Sequence, residues 1–329
     1  MSLLALLFAL PAAAQEADFY RGKTMTMIVP IGPGGAYDTY GRLVAKYLPK
    51  HLAGEPLIVP RNMPGAGGAL ATNYMANVAP HDGTVLAIIT SSFATDQILH
   101  KAEIKYDARQ FGAIGRLGDT RTVLFFWHDA PVQTAADLWT KPSTIACSTL
   151  NELPAARLLL MNAYMGTKMK LIPGYPSARD FVLSNERHET DGGAATYVGL
   201  LQLFPSYIHE KKLNIVLQFG TARDAAMPDV PAVTELTQDK ELQQIYAFIT
   251  SNDEIGRSLF TTPGVPPARL ALLRRAFNEM LADGEFRADA GRLNLPLTPK
   301  TGEEMEQVVR DAFAVPDSAI AKVRELMGH

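Results

Sequence analysis

Cysteine is nearly absent: Cys147 is the single one in 329 residues. That excludes an internal disulfide and a Cys-rich metal centre. A lone cysteine is by default a small buried hydrophobe rather than a nucleophile. A basic excess is missing too. Lys and Arg number 31 against 34 Asp and Glu, a net charge of −3, which argues against a nucleic-acid partner. It does not argue against a small anion, because local fields decide that. The seven His are scattered, with no His-Glu-x-x-His and no metal-ligand spacing. There is no Gly-x-Ser-x-Gly turn of the kind that presents a nucleophile. Residues 32–37 (GPGGAY) and 65–70 (GAGGAL) both lack the third glycine of a dinucleotide fingerprint, and neither carries the Lys-Ser/Thr pair of a phosphate loop. No metal, no cofactor and no catalytic group is expected, and the chain reads as non-enzymatic.

What is present is an ordinary globular composition, 47% apolar and 20% charged. The length suggests two domains rather than one. Leu3 to Leu10 is an apolar run of the length of a signal-peptide core, followed by Ala12-Ala13-Ala14. The run is too short to span a bilayer. It predicts a leader over residues 1–14, cleaved after Ala14, and an exported protein. No Lys or Arg precedes the run, which is compatible with a start of translation upstream of Met1.

After residue 23 the pattern is strand, loop, helix, repeated. Residues 24–31 (TMTMIVPI), 57–59 and 84–90 (TVLAIIT) read as strands. Between them Tyr40, Leu43, Val44, Tyr47 and Leu48 mark one helical face, and Leu70, Tyr74 and Val78 a second. A β-α-β-α-β run predicts a parallel, doubly wound sheet. Residues 122–127, 144–148, 169–172 and 214–219 read as strands of a second series, with a helix over 153–165. Helices are expected over 267–282 and 302–313, and residues 257–262 could add a strand to the first lobe. The expected division is a discontinuous first lobe, 15–121 and 223–329, with 122–222 inserted as the second, and chain crossings between them as a hinge.

The strongest local signal is the pair of glycine-rich turns, Ile31-Gly32-Pro33-Gly34-Gly35 and Gly65-Ala66-Gly67-Gly68. Each lies between a predicted strand and a predicted helix. N–H groups at a helix start have no intrahelical partner, and the helix dipole adds positive character there. Such a turn holds a carboxylate, phosphate or sulfate without a basic side chain, and glycine lets the ligand approach the backbone. Ser91 and Ser92, at the end of the third strand, are candidate hydrogen-bonders to a ligand or strand-end caps. Asp38, three residues past Gly35, would repel an anion directly. Its expected role is to shape the first turn by accepting N–H bonds.

At these residues the chain resembles a known family, the tripartite tricarboxylate transporter receptors, also called Bug-type binding proteins. The resemblance rests on Ile31-Gly32-Pro33-Gly34-Gly35-Ala36-Tyr37-Asp38 with Arg42, on Asn62-Met63-Pro64-Gly65-Ala66-Gly67-Gly68, and on Pro80-His81-Asp82-Gly83-Thr84. Pro228-Asp229-Val230-Pro231 and Pro263-Gly264-Val265-Pro266 extend it along nearly the whole chain. It implies a periplasmic-binding-protein (Venus flytrap) fold of two lobes, each a mostly parallel sheet flanked by helices. The implied function is capture of a small organic carboxylate between the lobes for a two-subunit membrane permease. The alternative is a ligand-sensing subunit that presents the acid to a signalling partner. By position, the resemblance points to the two turns as the anchor of one carboxylate. Phe93, Ser148, Thr149, Asn151, Gly174, Tyr175, Thr196 and Tyr197 would contact the rest. The segment 147–151 is not glycine-rich as in many relatives, and His188 and Phe93 depart from the usual residues. An aromatic acid is therefore as compatible as a mono-, di- or tricarboxylate. A monomer is expected.

Overall fold

The computed structural model describes residues 18–99, 103–150 and 153–326. The expected leader and its cleavage site after Ala14 lie outside the described residues, as does Asn151. The chain forms β1 (Thr24–Val29), α1 (Ala36–Tyr47), β2 (Leu57–Asn62), α2 (Ala69–Asn77), β3 (Val85–Ile88), α3 (Phe93–Ile98) and β4 (Phe111–Gly118). It continues through β5 (Thr122–Trp127), β6 (Ser143–Cys147), α4 (Leu153–Leu160), β7 (Met169–Pro173), α5 (Ala178–Glu186), β8 (Gly192–Thr196), α6 (Tyr197–Leu203), α7 (Pro205–His209) and β9 (Leu213–Gln218). The last third holds α8 (Lys240–Ile255), β10 (Arg257–Pro263), α9 (Pro267–Ala282), α10 (Gly284–Arg292), β11 (Lys300–Thr301), α11 (Gly302–Phe313) and α12 (Asp317–Leu326).

These elements divide into two compact units. The first takes the chain through Thr90, then Lys105–Leu117 and Arg257–Glu306. The second takes Ser91–Ile104, Gly118–Gly256 and the chain from Gln307. The boundaries differ from the expected ones: Ser91–Ile104, which carries the candidates Ser91, Ser92 and Phe93, residues 118–121 and 223–256 and the chain from Gln307 go with the second unit. Side-chain bonds show why. Arg157 of α4 holds Asp253 of α8, and Lys322 of α12 holds Glu241 of α8.

The first unit is built on a sheet of order β11-β4-β10-β3-β1-β2. β1 is parallel to β2 and to β3, which is the expected β-α-β-α-β run. β10 joins antiparallel to β3, and β11 antiparallel to β4, so the whole sheet is mixed. β1 is buried at Met25, Met27, Ile28 and Val29, and α1 packs on it through Tyr40, Leu43, Val44 and Tyr47. Each such fully buried side chain contributes about 1.5–3 kcal/mol relative to exposure. The second unit has a sheet of order β7-β6-β8-β5-β9. Here β6 is parallel to β7 and β8, whereas β5 is antiparallel to β8 and β9. Both units are therefore α/β, with sheets flanked by helices. Among the described residues no helix is long and apolar enough to cross a membrane.

Candidate functional site

The parallel register of β1 and β2 sets Val29 opposite Asn62, the last residue of each strand. Met63 N–H then donates to Val29 O at 2.8 Å. The chain thus leaves two neighbouring strands at one level, and the turns that follow lie side by side at the carboxyl edge of the sheet, where open α/β sheets hold ligands. Gly32, Pro33 and Gly34 are exposed in the first turn, as are Gly65, Ala66 and Gly67 in the second. Ile31 and Gly35 are half-buried and Gly68 is buried.

Backbone geometry explains the residue types. Gly34 has φ +88°, a conformation a β-branched residue rarely adopts. Residues 65–68 all have positive φ. A Cβ on Gly68 would stand 2.3 Å from Thr90 Cγ2. The second turn is therefore pressed against the residue that ends the β3 run.

Asp38 holds the first turn. Its carboxylate accepts the Gly34 N–H at 2.9 Å, Arg42 Nε at 2.9 Å and Asn62 Nδ2 at 2.9 Å. Asn62 Nδ2 also donates to Ile31 O at 2.9 Å, and Arg42 Nη2 donates to Asn62 Oδ1 at 3.0 Å. The Arg42 guanidinium is the main reason that the Asp38 carboxyl sits at about 2. The Gly34 and Asn62 bonds add to it, and burial opposes it. Asp38 stays ionised and, with Asn62, ties the first turn to the end of β2. Asn62 has this role although residue-by-residue reading assigned it none. Its place at the last strand residue before a glycine turn is the signal that would have found it.

The clasp also divides labour within the turn. The Gly34 amide is committed to Asp38, so Gly34 shapes the loop. Gly35 precedes α1 and supplies no side-chain cap. The N–H groups that open α1 therefore have no capping side chain, which is the arrangement that accepts an anion.

The other expected residues fall in the second unit. Ser92 Oγ donates to Asp96 Oδ2 at 2.8 Å, and Ser92 O accepts Asp96 N–H at 2.7 Å, so this serine closes the start of α3. Ser91 precedes it at the same turn. The Phe93 side chain is 0% exposed and belongs to the core, which leaves it no surface for a solute. Ser148 and Thr149 follow β6, Gly174 and Tyr175 follow β7, and Thr196 and Tyr197 end β8 and begin α6. β6 lies between β7 and β8 and is parallel to both, so the loops share one edge. Two bonds lace the first pair together, Gly174 N–H to Ser148 O and Tyr175 N–H to Cys147 O, each 3.2 Å. Tyr197 N–H donates to Arg121 O at 2.8 Å, and Thr196 Oγ1 caps α6 by accepting Gly199 N–H at 3.3 Å. Cys147 is buried, and burial pushes its thiol up. No group of three or more His, Cys, Asp or Glu among the described residues could hold a metal ion.

The sequence model described as the Tripartite tricarboxylate transporter family receptor matches residues 41–292. Protein BugT of Bordetella pertussis is 25% identical over 281 residues, covering 82% of this chain and 80% of that one. A TctC solute-binding protein from Polaromonas superposes with a TM-score of 0.72 at 21% identity, over 94% of this chain and 99% of the other. A Rhodopseudomonas palustris protein solved with adipate gives 0.58 at 17% identity, over 93% and 98%.

Proposed function

The chain belongs to the tripartite tricarboxylate transporter family receptors, and from that premise we propose that it captures a small organic carboxylate in the periplasm and delivers it to a two-subunit membrane permease. Its family is one of solute-binding receptors, not enzymes. The observation that carries the proposal is the pair of exposed turns on neighbouring parallel strands, fixed by the Asp38 clasp. A carboxylate seated there meets N–H groups at the start of α1 rather than a basic side chain. The adipate found on the palustris protein makes aliphatic diacids the first ligands to try.

The test is titration calorimetry of the full chain with adipate, malate, citrate, hexanoate and benzoate, beside Gly34→Val. At φ +88° valine is strained by about 1–2 kcal/mol and displaces the turn. Wild type should bind at least one acid saturably at one equivalent and release it unchanged. The variant should lose that binding while keeping its circular dichroism spectrum. Equal affinity in the two proteins would remove the turns from the site.

A further inference from the structure

Arg257 is a cation at the edge where the glycine turns lie, and no described acidic group answers it. β10 runs antiparallel to β3 with Leu259 opposite Ile88, and Ile89 N–H donates to Ser258 O at 3.3 Å. Arg257, the first residue of β10, therefore lies level with the end of the β3 run, at the carboxyl edge of β1 and β3. Its guanidinium carbon stands 4.1 Å from the centroid of the Tyr37 ring. Tyr37 is the second residue of α1, two positions past Gly35.

Among the described residues Arg257 makes no ion pair, and its Nε is buried without a hydrogen-bond partner. That is an unusual state for a guanidinium, which carries several fixed donors. Asp38, the residue after Tyr37, is occupied by Arg42, Gly34 and Asn62. Arg257 also sits beside the start of α1, the positive end of that helix. Two positive features side by side are unfavourable unless an anion completes them. The Tyr37 face offsets part of this cost and holds the guanidinium plane in place.

We propose that Arg257, steadied on the Tyr37 ring, is the specificity-determining residue that receives the second acidic group of a dicarboxylate whose first carboxylate lies on the glycine turns. The proposal rests on the carboxylate-anchor reading above and adds the class of acid to it. A planar guanidinium takes a carboxylate through two parallel N–H bonds, which a lysine cannot reproduce.

The experiment compares adipate with hexanoate, acids of equal chain length and different charge, on full-length wild type, Arg257→Gln, Arg257→Lys and Gly34→Val. Wild type should prefer adipate. Arg257→Gln should bind adipate about 10- to 100-fold more weakly and hexanoate within about twofold of wild type, and the retained hexanoate binding shows that the variant is folded. Arg257→Lys should fall between them. If Arg257→Gln keeps the wild-type preference while Gly34→Val loses both acids, the Arg257 assignment is overturned and the turn anchor stands. If wild type prefers hexanoate, the dicarboxylate class is overturned. If Gly34→Val binds both acids normally, the anchor itself fails, and this proposal with it.

Discussion

Asp38 is the residue on which the first turn depends. It is 4% exposed, and its side chain accepts N–H groups from three residues. Its carboxyl is lowered from an ordinary 3.8 to about 2. A lowered folded value means that the carboxylate stabilises the fold fully above the unfolded value and ceases to do so as pH falls through the folded one. The contribution is on the order of 2 kcal/mol and should fade between about pH 4 and pH 2. Asp38→Asn should unfold about 1–3 kcal/mol more easily at neutral pH, and its urea midpoint should respond less to pH across that window. Equal pH dependence in the two proteins would show that Asp38 is not held as described. The clasp was half legible. The place of Asp38 after Gly35 indicated that it shapes the turn, but Asn62 comes from another strand, and only parallel pairing in register brings it there.

At the scale of elements, the second unit depends on α8 and on the buried pair that fastens it. Arg157 is 3% exposed and Asp253 6%. They are joined by two bonds, of 2.8 and 2.9 Å, and Arg157 Nη2 also reaches Ile249 O at 2.9 Å. Asp253 further accepts the Thr122 N–H at 2.9 Å, so α4, α8 and the start of β5 meet on one carboxylate. Arg157→Met leaves that carboxylate buried and unpaired and should cost about 3–5 kcal/mol in urea unfolding. Arg157→Met with Asp253→Leu should recover part of the loss. A single variant as stable as wild type would mean that the pair is not buried in solution.

The same elements show what could be read in advance. β1, β2 and β3 were legible from their apolar, β-rich runs, and α1 from its 3.6-residue face. β8 was not, because Gly192-Gly193-Ala194-Ala195-Thr196 lacks the side chains that mark a strand. Its glycines answer a packing need: a Cβ on Gly192 would lie 2.4 Å from Phe125 O. α8 carries a proper face in Leu242, Ile245, Tyr246 and Ile249, all buried. Towards its end, Thr250-Ser251-Asn252-Asp253 is poor in helix formers and is held by tertiary bonds that no local pattern displays.

At the scale of the molecule, two α/β units use the same device. In each, loops that follow parallel neighbouring strands share one sheet edge. The candidate site of the first unit was visible in sequence because backbone binding demands glycine. The candidate loops of the second unit were placed through resemblance alone, since side-chain selection of a ligand leaves no compulsory residue type. The central claim concerns backbone amides, so amide resonances test it most directly. In ¹⁵N-labelled protein titrated with adipate, the Gly35, Ala36 and Gly67 amide signals should move furthest and saturate together at one equivalent. Gly34, whose proton is already given to Asp38, should move less. Saturable binding that leaves the amides of residues 32–36 and 65–68 unmoved would contradict the account.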